Sequence, residues 1–433
     1  MSPFDLRMLR PECFDPSAIP SESRAFNQDL LELTLRAPRW KEIGATEYRR
    51  LRAAGKTELP GPTLLPSATA FKIPSRDSGR FVPCRILRPQ NSKPVSAVFI
   101  HIHGGGWVLQ DETYQDPRLQ AIANDHGLLC ISIGYRLAPE HPFPAGPQDC
   151  FDAAEWLISN ADTTFNAPLG FIGGESAGAH LSMLVVLHLL QHNKSEFSEF
   201  RLRGLMLHFG CYSLDWMPSV YTYGSRKPAL VLDQGKMNEF RDAFLPGWSL
   251  EMLKDPRVSP LYADLEQLRG RLLSAHFTCG TEDCLLDDTL FMNSRWLAAG
   301  GESVLSIIPG VPHGYILFPR NLAGSGAEAG MQAVDDFLAN RIKARTYFGF
   351  FPIKLADDKD KIRFAGTRLG GTAGRWFQAY LRDWYEYEEI PDARDQDTVN
   401  ILTSYDNFIT GITDVFGKVD KERQAVKELK ELE

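Results

Sequence analysis

The sequence predicts an α/β fold: a mostly parallel sheet with helices on both faces, a helical cap, and an all-α C-terminal appendage. Three observations point to it. From about residue 70 to 340, apolar runs of strand length alternate with helical patterns. Two of those runs, "AVFIHIH" and "LLCISIGY", are continuous rather than alternating, as strands buried on both faces are. After about residue 343 the character changes: no cysteine follows Cys284, no histidine follows His313, and the remainder is helical and strongly charged.

In chain order, residues 1–60 hold two amphipathic patterns, "FNQDLLELTLRAPRW" and "TEYRRLRAAG", before any strand, and are expected to form an N-terminal cap segment. The core domain is expected over 61–343. "FKIPSR" and "VPCRILRP" read as two strands joined by the turn-rich "RDSGR". "LGFIGG", "RGLMLHFG", "LLSAHFTCG" and "ESVLSIIPG" continue the strand series. Between them lie the helical stretches "DPRLQAIANDHG", "CFDAAEWLISN", "SAGAHLSMLVVLHLLQHN" and "DTLFMNSRWLAAGG", the last stopped by Gly300 and Gly301. Residues from about 213 to 262 interrupt the alternation with an aromatic-rich insert that holds Trp216, Tyr221, Tyr223, Phe240, Phe244 and Trp248. Together with the N-terminal segment it is expected to cap the C-terminal edge of the sheet. Residues 344–433 form the appendage.

Composition bounds the function. The chain has 433 residues, is 43% hydrophobic and 24% charged, and carries a formal charge of -8, which argues against nucleic-acid and anionic-membrane partners. The first twenty residues show no continuous apolar stretch, so no secretory signal is expected. The longest apolar run, Leu181 to Leu190, is about half of what a membrane span needs. Seven cysteines at scattered spacings read as reduced thiols and hence a cytoplasmic protein, and with no CxxC pair no structural zinc is expected; the chemistry of the motifs below requires neither a metal nor an organic cofactor.

The chemistry concentrates in three places. "GFIGGESAGAHLSML" sets Ser176 in a Gly-x-Ser-x-Gly frame, Gly174 to Gly178, between an apolar strand and a long helical pattern. A sharp strand-to-helix turn thrusts the hydroxyl outward, and its neighbours must be small. A nucleophilic serine needs a base, and the base an orienting acid, in the chain order serine, acid, histidine. "HFTCGTEDCLLDD" offers Glu282, Asp283, Asp287 and Asp288 just after a strand; Asp283 lies nearest the strand end, whereas Asp287 or Asp288 suits a helix cap. His313 in "IIPGVPHGYILF" has no histidine competitor after His276. The third place is "HGGGW", His103 to Trp107. No lysine follows to make a phosphate cradle, and the glycine spacing is not that of a dinucleotide fold. Glycines free of side chains suit backbone N–H groups that must approach a tetrahedral oxyanion, with Gly105, Gly106 and Ala177 as the expected donors. A tight structural turn is the plainer alternative.

With His103, Gly104, Gly105 and Gly106, then Gly174, Glu175, Ser176, Ala177 and Gly178, then the acid and histidine loops, the chain resembles the hormone-sensitive-lipase-like family of α/β-hydrolases over about residues 20–340. "YRLAPEHPFPAGPQD" and "DPRVSPLYADL" are similar to further segments of that family. The resemblance implies an α/β-hydrolase fold and a serine hydrolase of small carboxylic esters with short to medium acyl groups. It makes Ser176 the nucleophile, Asp283 the orienting acid and His313 the base. Glu175 stands where the family commonly has Asp, Ala179 where it has Gly, and Cys284 where Pro usually follows the acid. Amide or formamide hydrolysis or deacetylation on the same triad is the alternative activity. A ligand-binding receptor on this fold would imply a lost catalytic histidine, which His313 opposes.

The tail has its own resemblance. "DKDKIRFAGTRLGGTAGRWFQAYLRDW", "SYDNFITGITDVFG" and "ERQAVKELKEL" are similar to the capsid-like gag segment of gypsy-type retrotransposons over about residues 346–433. It holds neither cysteine nor histidine and balances 14 Lys and Arg against 17 Asp and Glu from Arg345 onward, so no RNA binding is expected. Such a segment implies self-association as its contribution to a partner list otherwise limited to a small ester.

Overall fold

The computed structural model describes residues 11–91, 93–225, 229–347, 362, 371–387, 394–404, 406–408 and 410–411. The chain divides into two compact units, residues 1–342 and 343–433.

The first unit is built on one eight-stranded sheet in the order β1-β2-β4-β3-β5-β6-β7-β8. β1 (Thr69–Pro74) and β2 (Phe81–Leu87) form an antiparallel pair, and β2 runs antiparallel to β4 (Leu128–Ile133). The remaining neighbours, β3 (Ala97–Ile102), β5 (Leu169–Glu175), β6 (Gly204–His208), β7 (Ala275–Glu282) and β8 (Ser303–Pro312), pair parallel. Every residue of β3, β4, β5 and β6 is buried, which is why these strands read as unbroken apolar runs. Side-chain period two still sorts them: Val98, Ile100 and Ile102 enter one core, Ala97 and Phe99 the core on the other face.

The helices are α1 (Ser21–Arg36), α2 (Trp40–Ile43), α3 (Ala45–Ala53), α4 (Asp116–His126), α5 (Ala145–Phe165), α6 (Ala177–Leu190), α7 (Ser195–Ser198), α8 (Pro218–Gly224), α9 (Gln234–Phe244), α10 (Leu286–Ala298) and α11 (Ala327–Tyr347). α6 is apolar on nearly all sides because it is buried behind the sheet, with thirteen of its residues in the core. The longest apolar run of the sequence is therefore a core helix, and no helix among the described residues is long and apolar enough to cross a membrane. All seven cysteines are buried and free.

The N-terminal segment and the aromatic-rich insert touch each other. Trp40 stacks on Phe240 at 5.6 Å, and Arg39 pairs with Asp233 and Glu239 across α2 and α9. Phe244 at the end of α9 stacks on Trp107 at 4.8 Å, which ties the insert to the glycine loop. The sheet order explains why the cap sits over one edge. From β3 the chain crosses to β4 on one side, and β5 lies on the other, so the carboxyl ends of β3 and β5 flank a crevice.

The second unit contains helices Gly371–Glu386 and Gln396–Thr403, with Phe377 packed edge-on against Phe408 at 5.3 Å. Most of the residues carrying the gag-like resemblance, including 363–370 and 412–433, lie outside the described residues.

Candidate active site

Four loops leave the carboxyl ends of β3, β5, β7 and β8 and converge on the crevice. β5 turns into α6 at Ser176, whose φ of 56° and ψ of -121° lie outside the regions that L-residues favour. Such a conformation costs about 1–3 kcal/mol and persists only where its surroundings enforce it. Here they do: a side chain on Gly174 or Gly178 would collide with the Ile102 carbonyl of β3, so both positions admit glycine alone. The Ser176 N–H is fixed by the His208 carbonyl at 2.8 Å.

Asp283 is the first residue after β7 and His313 the first after β8. Asp283 is fully buried; one carboxylate oxygen accepts the Leu285 N–H at 2.8 Å and the other accepts the His313 Nδ1–H at 2.9 Å. A carboxylate can only accept, so the proton sits on Nδ1 and leaves Nε2 as an acceptor. The Ser176 hydroxyl donates to that Nε2 at 2.9 Å. Phe209 packs its ring against His313 at 4.8 Å and shields the pair from water.

The glycine loop leaves β3 beside this chain of hydrogen bonds. Gly105 and Gly106 have φ of 100° and 61°, and the Phe240 ring of the cap occupies the space a Gly106 side chain would need. The Val108 and Leu109 N–H groups close the turn on the Gly105 carbonyl at 3.1 and 2.8 Å. The Gly105 and Gly106 N–H groups donate to no acceptor among the described residues, and Ala177 is the first residue of α6, where an N–H has no helical partner. His103 donates from Nδ1 to the Gly104 carbonyl at 2.8 Å and stacks on Tyr135 at 4.3 Å, whose hydroxyl holds the His103 carbonyl at 3.0 Å.

Glu175 couples the two loops. Its Oε1 accepts the Gly104 N–H at 3.1 Å, while Oε2 lies 2.7 Å from the Arg118 guanidinium and 2.9 Å from His101 Nε2. Burial pushes this carboxyl up, but the His101 ring, the Arg118 guanidinium and the Gly104 N–H together hold it far below the carboxylate range. Burial pushes His101 itself down, toward the neutral ring, so Arg118 is the formal charge that keeps Glu175 ionised. Trp107 is anchored in the same way, donating from Nε1 to His180 Nδ1 at 3.1 Å while His180 Nε2–H donates to the Val258 carbonyl at 2.8 Å.

All eleven residues singled out from the sequence lie in this one region. Arg118, His101 and His180 escaped sequence reasoning, and Trp107 and Tyr135 stood in quoted motifs without a role, because each sits in an ordinary strand, helix or loop pattern and acts across the fold. One expectation is corrected. Neither Asp287 nor Asp288 caps α10, which begins after Leu285 with no side-chain cap. Asp288 instead accepts the Tyr212 and Ser213 N–H groups at 2.7 and 2.8 Å, and Asp287 the Ser219 N–H at 2.8 Å. Both pin the start of the cap insert to the acid loop, a tie that Ser219 completes by donating to the Cys284 carbonyl at 2.7 Å.

Ser176 and His313 open into a cavity between sheet and cap, walled mainly by Trp40, Leu59, Phe209, Val231, Met237 and Phe240. Glu155, His188 and His192, whose ligand atoms lie within 4.8 Å of one another on α5 and at the end of α6, do not line it.

Residues 99–317, just over half of the chain, match the family described as alpha/beta hydrolase fold. The chain is 30% identical over 275 residues to the carboxylic ester hydrolase LipN of Mycobacterium tuberculosis, a span of 63% of this chain and 70% of that protein. It is 39% identical over 107 residues to the hormone-sensitive lipase of Bos taurus, or 23% of this chain and 14% of the lipase. A hyperthermophilic esterase from the archaeon Pyrobaculum calidifontis shares the fold, with a TM-score of 0.63 at 23% identity over 75% of this chain and 99% of that one. With its sheet order, its serine turn after β5 and this match, the chain belongs to the α/β-hydrolase fold family.

Proposed function

We propose that the protein is a serine hydrolase of carboxylic esters, of the hormone-sensitive-lipase type, acting on small hydrophobic substrates with short to medium acyl groups. The observation that carries the reading is the chain Ser176 Oγ–His313 Nε2 and His313 Nδ1–Asp283, 2.9 Å at each link, beside a glycine loop with free N–H groups. Ser176 attacks the ester carbonyl as His313 Nε2 takes its proton. Asp283 keeps the ring in the required tautomer and stabilises the imidazolium. The Gly105, Gly106 and Ala177 N–H groups receive the charge that develops on the carbonyl oxygen, a contribution in which one lost donor costs about 100- to 1000-fold in rate. His313 then returns its proton to the departing alcohol. Water, activated by the same ring, frees the acyl group from Ser176. His103, Gly104, Glu175, Gly174 and Gly178 shape this arrangement. The apolar walls of the cavity support a hydrophobic substrate.

The test is hydrolysis of p-nitrophenyl esters from acetate to laurate by the protein and by Ser176→Ala. Turnover on the shorter members, lost in the variant, is expected. Turnover confined to amide analogues would replace the ester reading with the amidase one.

A further inference from the structure

The cavity wall is not uniformly apolar. Arg52 of α3 and Gln110 of the loop after the glycines both line it, and both are almost completely buried, 3% and 4% exposed. The Arg52 Nε–H and the Gln110 Oε1 have no hydrogen-bond partner among the described residues. Every other charged side chain of the wall has a counter-ion. Arg39 faces Asp233 and Glu239, Lys236 holds Glu58 at 3.1 Å, and Glu175 has Arg118 behind it. Glu58 is also held at 3.0 Å by the Tyr48 hydroxyl, and burial pushes its carboxyl up while Lys236 and Arg52 hold it below its ordinary range. Its two oxygens are thus taken by Lys236 and Tyr48, and Arg52 feels its field without a hydrogen bond to it. Among the described residues, the Tyr114 ring, 5.7 Å from the Arg52 guanidinium, is the other group that compensates this cation.

A buried guanidinium without a paired acceptor costs several kcal/mol unless something supplies the acceptor. Gln110 adds a second mark. It holds a left-handed φ of 67°, a conformation that for a non-glycine residue is stored where function needs it.

We propose that Arg52 recognises a carboxylate on the substrate, so that the preferred esters are anionic: half-esters of dicarboxylic acids, or esters of hydroxy acids. The proposal rests on the esterase reading of Ser176 and sharpens it from small hydrophobic esters to those with one apolar stem and one anionic end. The apolar wall accepts the stem and Arg52 the end. Charge-assisted hydrogen bonds in a dry site separate an anionic ester from its neutral isostere by about tenfold to a hundredfold.

The experiment compares kcat/KM, followed by acid release, on two matched pairs. Monomethyl succinate against methyl pentanoate places the carboxylate on the acyl side; acetylglycolate against propyl acetate places it on the alcohol side. The full-length protein is expected to favour the anionic member of one pair by at least about tenfold, mainly through KM. Arg52→Met is expected to abolish that ratio and Arg52→Lys to restore part of it, which loss of packing alone would not do. Equal or better turnover of both neutral members, with Arg52→Met leaving the ratios unmoved, overturns the proposal while the esterase reading stands. Calorimetric titration of Ser176→Ala with the intact half-esters gives a readout independent of turnover. Binding there that Arg52→Met removes supports the carboxylate site even if no ester is hydrolysed, and absence of binding to either half-ester overturns it.

Discussion

Arg118→Met removes the cation that keeps Glu175 ionised. The two groups lie 2.7 Å apart and both are buried. At an effective dielectric constant of about 20 their attraction is about 6 kcal/mol, part of which offsets the desolvation of both ions. Removing one partner of such a pair typically costs about 3–5 kcal/mol, because the other charge is stranded. The sign with pH follows from the direction of the Glu175 shift. In the native protein its carboxyl is held below the unfolded value, so the stabilisation is present above about pH 4.5 and fades as pH falls through the lowered folded value. In the variant the Gly104 N–H and the His101 ring still face Glu175, but with the formal cation gone burial outweighs them and raises the folded value above the unfolded one, so the penalty is present at high pH and is relieved as the proton binds. Urea unfolding of both proteins should therefore show a gap of about 3–5 kcal/mol near pH 8 that narrows by up to about 1.4 kcal/mol per pH unit toward pH 5. Turnover should fall as well, since Glu175 Oε1 positions the Gly104 N–H of the oxyanion loop. A gap that does not change with pH, or one below about 1 kcal/mol, would refute the charge argument.

Other expectations follow from the same geometry. Asp283→Asn should lower kcat by about 10⁴-fold with the fold intact, because the wrong tautomer of His313 faces Ser176; a loss under tenfold would remove Asp283 from the role assigned to it. Gly178→Ala drives a methyl group into the Ile102 and His103 carbonyls and should cost about 1–3 kcal/mol in urea unfolding; an unchanged midpoint would contradict the packing of the serine turn. Five histidines, His101, His103, His180, His208 and His276, are pushed down by burial, His180 to about 4 and His276 to about 3. Groups whose folded values are depressed must take up protons on unfolding, so stability present above about pH 6.5 is lost as pH falls toward 4, at about 1.4 kcal/mol per unit for each. Asp288, which burial raises to about 7, acts in the opposite sense over part of that window, and a urea midpoint flat between pH 6.5 and pH 4.5 would contradict the buried neutral rings. A chain ended after Ile342 should keep its turnover, since every residue of the triad, loop and cavity lies before it; a folded but inactive product would refute that independence.

Most of the triad was legible because strand, turn and helix order constrain it locally. Ser176 announces itself through Gly174 and Gly178, whose absent side chains make room for β3. His313 stands alone after β8, and Asp283 was favoured among four acids by its closeness to the strand end. Asp287 and Asp288 were misread as helix caps because a carboxylate just before a helical pattern looks the same whether it bonds its own helix or a loop some seventy residues away. Arg118 gave no signal at all: an arginine in an amphipathic helix is ordinary until the sheet order sets it beside β5. Arg52 and Gln110 were hidden for a related reason. The cavity they line exists only once α3, the glycine loop and α9 have packed together, and no spacing along the chain records that.

The most direct test of the account is covalent labelling with a fluorophosphonate, which reacts with serines activated by a histidine base, followed by peptide mass analysis. The account predicts a single modified peptide carrying Ser176, ester turnover lost in step with labelling, and no labelling of Ser176→Ala or His313→Gln. Labelling at a different serine, or ester turnover that survives in Ser176→Ala, would contradict it.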